Sequence, residues 1–341
     1  MSQQISETKV SRIEMRETAA RILTNVGTPS DDALSVAESL VKAQEVGHAS
    51  HGVIRLVEYV SFVQKGTVIA NAVPVIISDR GATAMVDGGW GWGQIACKFG
   101  VEILKSKTKE FGTATLTIKN VNHIGRLGEY VENLANEGLV AMMWCNSDPS
   151  VAAFGGRERL FGTNPFAAAI PSEGEPMVID FATAASAEGK LRVARANGQK
   201  IPLGIVVDKD GKESTEPEAF YSGGALLPFG GHKGYCMSLL IELVGGALSG
   251  GHPSTTQIYS RGNGTVLTAY DPKFFAGDQA FAADIKESVK KIKSTTPVDP
   301  TRPVLLPGEV ESQFRTRNSD AITISEAIWK QITELDSSLA R

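Results

Sequence analysis

The sequence predicts a mixed α/β protein, and three observations support this fold class. Apolar residues recur at helical spacing over residues 9–65, which predicts a helical beginning. From Val73 onward, short runs of strand length alternate with helical segments. The chain has 341 residues, of which 42% are hydrophobic, enough for two domains or for one large domain with an insertion. We therefore expect a folded chain with a substantial core.

The first part of the chain is predicted to contain three helices. They run from position 10 to 23, from 33 to 46 and from 54 to 63, with a turn and a cap at residues 29–32. The third helix is closed by Gly66. The segment around His51 is therefore expected to begin a helix, where backbone N–H groups favour an anion.

The rest of the chain is predicted to alternate between strands and helices. Strands are expected at residues 75–78, 82–87, 113–118, 139–145, 167–170 and 177–180, with a further strand and turn at 202–210. Helices are expected after residues 93, 125, 217 and 232, over 286–293 and over 324–335, and a polar surface loop over 255–264.

Composition excludes several classes of protein. The net charge is −4 and the chain has no excess of positive charge, so neither nucleic acid nor an anionic membrane is an expected partner. Cys97, Cys145 and Cys236 are far apart and odd in number, which argues against a disulfide scaffold or a zinc site and fits a reducing cytosol. The N-terminus lacks an apolar signal segment, and no run approaches the ~20 apolar residues of a membrane span. We expect a cytoplasmic protein without a metal.

The segment 47–56 is the first candidate site. If it is helical, His51 and Arg55 lie four residues apart and project from one face, with Ser50 beside them. Arginine holds a carboxylate through two parallel hydrogen bonds, and histidine exchanges protons near neutral pH. This pattern favours a small substrate with a carboxylate and a reacting oxygen. An ion pair on a solvated face is the alternative.

Residues 91–96 form a G-x-G-x-x-A pattern that imitates the phosphate loop of a Rossmann dinucleotide-binding unit. Two features argue against that interpretation. The strand that follows ends in Lys119-Asn120-Val121-Asn122 instead of an acidic residue for the ribose. The strand before it alternates polar and apolar residues, unlike a strand buried on both faces of a parallel sheet.

Four further positions are candidates, and each has a purely structural alternative. His123 stands between a strand and a glycine-flanked helix start, where it meets an anionic ligand or packs as a cap. Asp180 ends an apolar strand, where it orients an imidazole, accepts from a ribose, or caps a helix with Thr183 or Ser186. Ser147 lies in a ligand loop or an ordinary turn. Lys233 follows a glycine-rich turn that suits phosphate but is not a Walker loop.

Six segments together carry a resemblance that covers nearly the whole chain. They are residues 50–56 (Ser-His-Gly-Val-Ile-Arg-Leu), 122–125 (Asn-His-Ile-Gly), 162–165 (Gly-Thr-Asn-Pro), 180–183 (Asp-Phe-Ala-Thr), 227–235 (Leu-Pro-Phe-Gly-Gly-His-Lys-Gly-Tyr) and 307–309 (Pro-Gly-Glu). In this order they resemble the second type of malate/L-lactate dehydrogenase. That family includes ureidoglycolate, sulfolactate and diketogulonate enzymes and a piperideine-2-carboxylate reductase.

The resemblance implies a fold and an activity. The implied fold is of the α+β type and not a Rossmann fold, with a largely antiparallel or mixed central sheet. Residues 1–72 and 312–341 would form a helical domain and residues 73–311 an α/β domain for cofactor and substrate, with the site at their junction. The implied protein is a homodimeric oxidoreductase of 2-hydroxy and 2-keto acids that uses NAD or NADP, with NAD preferred.

The resemblance also assigns roles to residues. His51 would be the proton donor and acceptor beside Ser50, Arg55 would hold the substrate carboxylate, and His123 is a second acid/base candidate. Asp180 would belong to the proton relay or to the cofactor site. The cofactor would be lined by His123, Ser147, Asp180, Phe181, Ala182, His232, Lys233, Pro307, Gly308 and Glu309.

Two departures from the family pattern leave alternatives open. Residues 180–184 are Asp-Phe-Ala-Thr-Ala where the family often has Asp-Met-Ala-Thr-Ser, and residues 204–206 are Gly-Ile-Val where it often has Gly-Trp-Ala. The substrate is therefore a hydroxy acid or, alternatively, a cyclic imine carboxylate. A nucleotide-binding protein without catalysis and a Rossmann dehydrogenase are the remaining alternatives.

Overall fold

The computed structural model describes residues 6–340, so residues 1–5, which begin the predicted helical domain, lie outside the described part. The helices are α1 (Arg12–Asn25), α2 (Ser30–Glu45), α3 (Arg55–Gln64), α4 (Gly93–Phe111), α5 (Leu127–Asn136), α6 (Glu188–Ala196), α7 (Glu218–Tyr221), α8 (His232–Leu243), α9 (Asp278–Lys293), α10 (Glu309–Arg317) and α11 (Glu326–Leu339). The strands are β1 (Glu7–Ser11), β2 (Val75–Arg80), β3 (Thr83–Asp87), β4 (Thr113–Lys119), β5 (Val140–Cys145), β6 (Val151–Ala152), β7 (Arg159–Phe161), β8 (Phe166–Ile170), β9 (Met177–Phe181), β10 (Val206–Val207), β11 (Glu213–Ser214), β12 (Ala225–Leu226), β13 (Thr265–Tyr270) and β14 (Ala321–Ser325).

A seven-stranded sheet forms the centre of the molecule, in the order β2-β3-β4-β13-β5-β8-β9. Neighbouring strands are antiparallel except for β3 and β4, which are parallel and joined by α4. The prediction of a mixed α/β fold with a mixed sheet is therefore confirmed. Helices α4 and α5 pack on this sheet through Cys97, Leu104, Tyr130 and Leu134, all of which are buried in its apolar core.

A five-stranded sheet, in the order β11-β10-β12-β6-β7, stands beside the central one. Its strands are only two or three residues long, and the predicted strand at 202–210 shrinks to Val206–Val207. Phe161, Leu191 and Leu226 belong to its buried cluster, so helix α6 is held against this sheet by its apolar side. This sheet positions the start of α6 near the candidate site.

The two ends of the chain meet in a two-stranded antiparallel sheet of β1 and β14. The prediction of helix at Val10 and at Ile324 was wrong, because both residues lie in these strands. Ile322 and Ile324 point the same way from β14 into the core of the helices, while α11 begins directly afterwards at Glu326. Because β14 has only five residues and is followed at once by α11, its alternation of apolar and polar residues is too short to be distinguished from the helical spacing that follows.

The strand β13 was not identified in the sequence, although it lies in the middle of the central sheet between β4 and β5. Every residue from Thr265 to Ala269 is buried, so the strand shows no alternation between a polar and an apolar face. Thr268 satisfies its hydroxyl by donating to the Ala114 carbonyl at 3.0 Å. The two buried threonines, Thr265 and Thr268, give this core strand a more polar composition than its burial implies.

The helices near the two ends of the chain share one apolar core, while the predicted domain boundaries stay a prediction. One cluster combines α1, α2 and α3 with β14 and α11, through Met15, Leu40, Leu56 and Ile332 among others. Within residues 6–340, no helix has the length and apolar character needed to cross a membrane, and no cluster of three potential metal ligands occurs.

Replacing Leu267 in β13 tests how much the central strand contributes to stability. Leu267 is fully buried and pairs in register with Leu116 and Met143. We expect Leu267→Ala to lower the free energy of unfolding by about 2–5 kcal/mol, through lost burial and a residual cavity. Leu203→Ala, the same change at an exposed position, is the control and should cost under about 0.5 kcal/mol. Equal denaturant midpoints for the two variants would contradict the central placement of β13.

Candidate active site

His51 lies in a short 3₁₀ turn, Ala49–His51, and not at the start of a helix. The expectation that His51 and Arg55 share one helix face was wrong: Gly52 is extended, with φ −86° and ψ −157°, and α3 begins only at Arg55. A Cβ on Gly52 would lie 2.4 Å from the Gln44 Oε1 atom, so glycine lets the turn pack closely on α2. Because Gly52 interrupts the helical path, His51 and Arg55 do not have the relative orientation of two residues on one helix.

Ser50, His51 and Arg55 are nevertheless joined by direct contacts. The Ser50 hydroxyl is hydrogen-bonded to His51 Nδ1 at 3.1 Å. Arg55 Nε donates to the Ser50 carbonyl at 2.7 Å, and Arg55 Nη1 donates to Glu58 at 2.5 Å. These bonds use only part of the guanidinium, which has five N–H groups, so Arg55 keeps donors for a ligand.

His123 faces His51 from the loop between β4 and α5. The two imidazole rings stack with their centroids 5.5 Å apart and their planes 18° apart. His123 Nδ1 is hydrogen-bonded to the Tyr59 hydroxyl at 2.7 Å, and that hydroxyl accepts from Gln94 Nε2 at 2.7 Å. The Tyr59 hydroxyl therefore links the Gln94 amide to His123 Nδ1 and fixes the orientation of the His123 ring.

The electrostatics keep both rings neutral. Burial, and then the positive charge of Arg55, lower the pKa of His51 to about 3. Burial and the charges of Arg55 and His51 likewise lower the pKa of His123 well below its ordinary value. Burial raises the pKa of Tyr59 to about 12, so its hydroxyl stays protonated as a donor. Within residues 6–340, neither imidazole Nε2 has a hydrogen-bond partner.

Three residues of this arrangement were missed in the sequence: Tyr59, Gln94 and Arg126. Tyr59 lies one helical turn after Arg55 on α3, so the same spacing argument applied to Arg55 points to it. Gln94 is fully buried in the glycine motif that was examined only for phosphate. Arg126 is buried and contributes to the low pKa of His51, but only the fold brings it there.

Asp180 is half-buried beside Arg126 at the end of β9. Its Oδ2 accepts from the Gly128 backbone N–H at 2.8 Å, in the first turn of α5. Burial raises the pKa of Asp180, and the nearby charge of Arg126 opposes that shift. Within the described residues, the carboxylate has no hydrogen bond to His51 or His123. Asp180 thus binds the start of α5, while Ala187, and not Asp180, precedes α6.

The residues after β9 are tied to the Ser147 loop and to the glycine-rich turn. Ser147 Oγ accepts from the Thr163 N–H at 3.1 Å, and Thr163 in turn accepts from the Thr183 N–H at 2.9 Å. The Thr183 carbonyl then accepts from Phe229 at 2.9 Å. Phe181 is partly exposed, and its ring meets that of Phe229 at 5.7 Å. The structure therefore brings Ser147, Phe181 and Ala182 beside the turn that precedes α8.

His232 and Lys233 are exposed at the beginning of α8. Gly230 and Gly231 before them have φ of 56° and 64°, a conformation that glycine adopts without strain. Lys233 has no ion-pair partner within the described residues. A free ammonium at a helix start is suited to an anionic group. The His232 ring lies against Phe154, with centroids 6.1 Å apart.

Residues 307–309 lie against the outer edge of β9. The Pro307 carbonyl accepts from Val178 N–H at 3.2 Å, and Gly308 packs on Val178 with φ 93°. The Glu309 carboxylate is already engaged, with Lys293 Nζ at 2.6 Å and the Leu306 N–H at 2.9 Å. Pro307 and Gly308 therefore contact Val178, two residues before Asp180, while the Glu309 side chain stabilises its own turn.

The second sheet also reaches the histidine turn. A Cβ on Gly189 would lie 3.3 Å from the Ser50 Cβ atom, so the first turn of α6 packs directly on the turn that carries His51. Burial raises the pKa of the Glu188 carboxyl, but hydrogen bonds from Arg192 and Tyr221 outweigh it and leave that pKa lowered. The positive charge of Arg55 also lowers the Glu188 pKa, so the two side chains lie near each other. Four parts of the chain thus meet around His51: its own turn, helix α3, the loop that carries His123 and the start of helix α6.

The glycine motif at 91–96 has no room for a phosphate. A Cβ on Gly93 would lie 2.5 Å from the Asn122 carbonyl oxygen and 2.6 Å from that of His123. Gln94 and Trp92 are buried, and Trp92 Nε1 donates to Thr28 at 3.0 Å. The glycines bring α4 against the His123 loop, which supports the interpretation that this motif is structural.

Several known proteins are similar to this chain in sequence. A sequence profile of malate/L-lactate dehydrogenases matches residues 10–333. An L-sulfolactate dehydrogenase of Methanocaldococcus jannaschii is 33% identical over 325 residues, 93% of each chain. A Δ1-pyrroline-2-carboxylate/Δ1-piperideine-2-carboxylate reductase of Pseudomonas syringae pv. tomato is 36% identical over 335 residues, 96% of each chain.

Solved structures show the same fold. Sulfolactate dehydrogenase from Methanocaldococcus jannaschii superposes with a TM-score of 0.90 at 31% identity, over 98% of both chains. Malate dehydrogenase from Pyrococcus horikoshii superposes with a TM-score of 0.88 at 30% identity, over 98% of this chain and 96% of that one. The chain therefore belongs to the malate/L-lactate dehydrogenase family.

Proposed function

We propose that this oxidoreductase interconverts a 2-hydroxy acid and the corresponding 2-keto acid with NAD or NADP, with NAD as the first choice. The observation that carries the proposal is the pair of neutral imidazoles beside Arg55, each with Nδ1 occupied and Nε2 free. An assay of NADH and NADPH oxidation with pyruvate, oxaloacetate and sulfopyruvate tests it. Absence of turnover with every 2-keto acid, despite cofactor binding, would favour a nucleotide-binding protein without catalysis.

His51 is proposed as the proton donor and acceptor. A neutral imidazole accepts the hydroxyl proton of the substrate when the hydroxy acid is oxidised, and Ser50 on Nδ1 fixes the ring so that Nε2 faces the substrate. In the reverse direction His51 must first be protonated. A substrate carboxylate beside Arg55 favours this, because it neutralises the charge that helps to depress the His51 pKa.

Arg55 is proposed to hold the substrate carboxylate. Its link to the Ser50 carbonyl keeps the guanidinium in a fixed relation to the His51 turn. A carboxylate gripped by the remaining N–H groups would therefore be held at a fixed distance from the imidazole. Positioning of this kind contributes several kcal/mol to catalysis, on the order of 7–11 kcal/mol in the best intramolecular cases.

The residues around β9 are proposed to bind the cofactor, which supplies and accepts the hydride. The fit rests on a free ammonium at Lys233, two glycines before α8 that leave the backbone open, and the partly exposed ring of Phe181. His123, Ser147, Asp180, Ala182, His232 and residues 307–309 complete the proposed lining. Asp180 would act there by holding the start of α5, and Glu309 by shaping its turn.

We further propose the two-domain arrangement, with the site where the helical residues around His51 meet the sheet residues around His123. A cytoplasmic homodimer is part of the same proposal. Helix α8 continues into a π-helical turn, Val244–Leu248. Three leucines of this segment, Leu240, Leu243 and Leu248, are exposed to solvent. Exposed apolar patches of this kind mark protein interfaces. A monomer mass in sedimentation equilibrium at micromolar concentration would reject the dimer.

A cyclic imine carboxylate is a second candidate substrate, favoured by the 36% identity to the Pseudomonas syringae reductase. Such a substrate presents the same carboxylate next to a polar C=N bond, so Arg55 and His51 would keep their roles. Turnover of Δ1-piperideine-2-carboxylate in the absence of turnover with 2-keto acids would assign this activity instead.

Separate replacement of the two histidines distinguishes their roles. We expect His51→Gln to lower kcat by about 10²-fold or more, the usual contribution of a general acid or base, while NADH binding stays within about two-fold. His123→Gln should have a smaller effect on kcat if His123 only supports His51. Steady-state kinetics and NADH fluorescence titration measure both. A larger loss in His123→Gln than in His51→Gln would exchange the two assignments.

Arg55→Lys tests the carboxylate clamp. An ammonium retains the charge but cannot make two parallel hydrogen bonds, so KM for the keto acid should rise about ten-fold or more. Arg80→Lys is the matched control, because Arg80 is exposed at the end of β2 and has no ion pair in the described chain. Native kinetics in both variants would show that Arg55 does not bind the carboxylate.

The depressed His51 pKa predicts opposite pH profiles in the two directions. Oxidation needs the neutral ring, which is already present well above a pKa of about 3, so its kcat/KM should be nearly flat between about pH 5 and pH 8. Reduction needs the protonated ring, so its kcat/KM should fall by up to about ten-fold per pH unit over the same range. A reduction rate independent of pH would contradict a proton supplied by His51.

A further inference from the structure

A polar cavity of about 180 Å³ lies beside the beginning of the segment that leads from β4 to His123. Its walls come from four separate parts of the chain: Trp90, the pair Lys119 and Asn120, the loop 250–252 and the loop 260–263. None of the residues assigned above to the active site lines it. The volume lies below the roughly 300–1,000 Å³ of pockets for drug-sized ligands, so the cavity suits an ion or a small terminal group.

Basic side chains line this cavity. Lys119, His252 and Arg261 all line it, in a chain whose net charge is −4. The carboxylate nearest to Lys119 is Asp87, 3.9 Å from Nζ, and Asp87 also accepts from Asn120 Nδ2 at 2.9 Å. Asp87 thus lies near Lys119 alone, and Arg261 has no carboxylate partner within the described residues. The local balance favours a bound anion.

Arg261 is held in place but poorly satisfied. Its guanidinium lies 4.3 Å from the centre of the Trp90 ring, which orients the plane of the group. Nη2 donates to the Thr67 carbonyl at 3.3 Å, while Nε is buried with no partner within the described residues. No ion pair to Arg261 occurs in that part of the chain. A fixed guanidinium with free donors is the group proteins use for phosphate and carboxylate.

The backbone around the cavity is strained at three places. Four non-glycine residues between positions 6 and 340 have positive φ, and three of them line this cavity: Trp90 at 57°, Asn120 at 53° and His252 at 65°. Such conformations are costly for residues with a Cβ, above all for a bulky tryptophan, and they concentrate at functional sites. They are held by hydrogen bonds from Trp90 N–H to Asn120 O and from His252 N–H to Gly246 O.

We propose that this cavity is a binding site for a small phosphoryl-type oxyanion, separate from the active site. Arg261 supplies a planar pair of donors, and Lys119 supplies a point charge. His252 and the Ser260 hydroxyl add donors from the opposite loops. A multivalent tetrahedral oxyanion uses this number of donors and charges better than a single carboxylate does, because three or four oxygens are satisfied from different sides.

Titration calorimetry with inorganic phosphate tests the site, at neutral pH and at constant ionic strength balanced with chloride. We expect saturable binding with a dissociation constant of about 1 mM or tighter. The double variant Lys119→Met/Arg261→Met should weaken binding at least ten-fold, since methionine keeps the packing of each stem but removes both charges. The control Arg80→Met/Lys290→Met removes the same net charge at exposed positions away from the cavity and should bind as the native protein does.

The outcomes are distinct. Undetectable phosphate binding by the native protein would overturn the proposal, and so would equal binding by the two double variants, because phosphate would then lie at Arg55 or another cation. If the variant Lys119→Met/Arg261→Met loses its native melting transition, the single variant Lys119→Met is used in its place. We expect this variant to bind phosphate several-fold more weakly than the native protein. An unchanged phosphate affinity would contradict the site. Parallel titration with AMP, with the proposed cofactor site saturated by NADH, identifies the source: tighter binding than phosphate that is weakened in the cavity variant indicates a phosphomonoester, and equal or weaker binding a free ion.

Discussion

Burial of two imidazole rings beside one guanidinium is the constraint on which the rest of the site depends. In water, a histidine gains its proton near pH 6.5, but here loss of solvent, and then the positive charge of Arg55, disfavour the charged form of both rings. Both rings are therefore neutral, and each has one nitrogen occupied by a hydroxyl. The free nitrogens are left as the reactive positions, with orientations fixed by Ser50 and Tyr59.

The edge position of β9 explains how so many loops reach one place. As the last strand of the central sheet, β9 pairs with β8 on one side only, and its other side has free backbone groups. Pro307 uses one of them through Val178, and Asp180 projects to the first turn of α5. The loop that follows is bonded to Thr163 and Phe229. A single exposed strand edge thus collects segments that are far apart in sequence.

The extent to which the sequence predicts this molecule depends on the range of the interactions. His51 and Arg55 were found because their chemistry is visible within five residues, although the geometry was wrong: Gly52 breaks the expected helix. The strand β5 was predicted for the same local reason, from its uninterrupted run of apolar residues. Gln94 was not found, because its role exists only through Tyr59 and His123. The strand β13 was missed because its burial comes from pairing with β4 and β5, and its threonines do not indicate a buried strand in the sequence.

The sheet formed by the first and last strands has a consequence for how the protein is made. Ile322 and Ile324 share one apolar cluster with Leu56 and Tyr59, and Tyr59 is the residue that holds His123. The N-terminal helices emerge early in synthesis but cannot close this cluster until almost the whole chain has left the ribosome. The central sheet can assemble before that moment, whereas the helical support of the histidines is completed only after translation of the final helix.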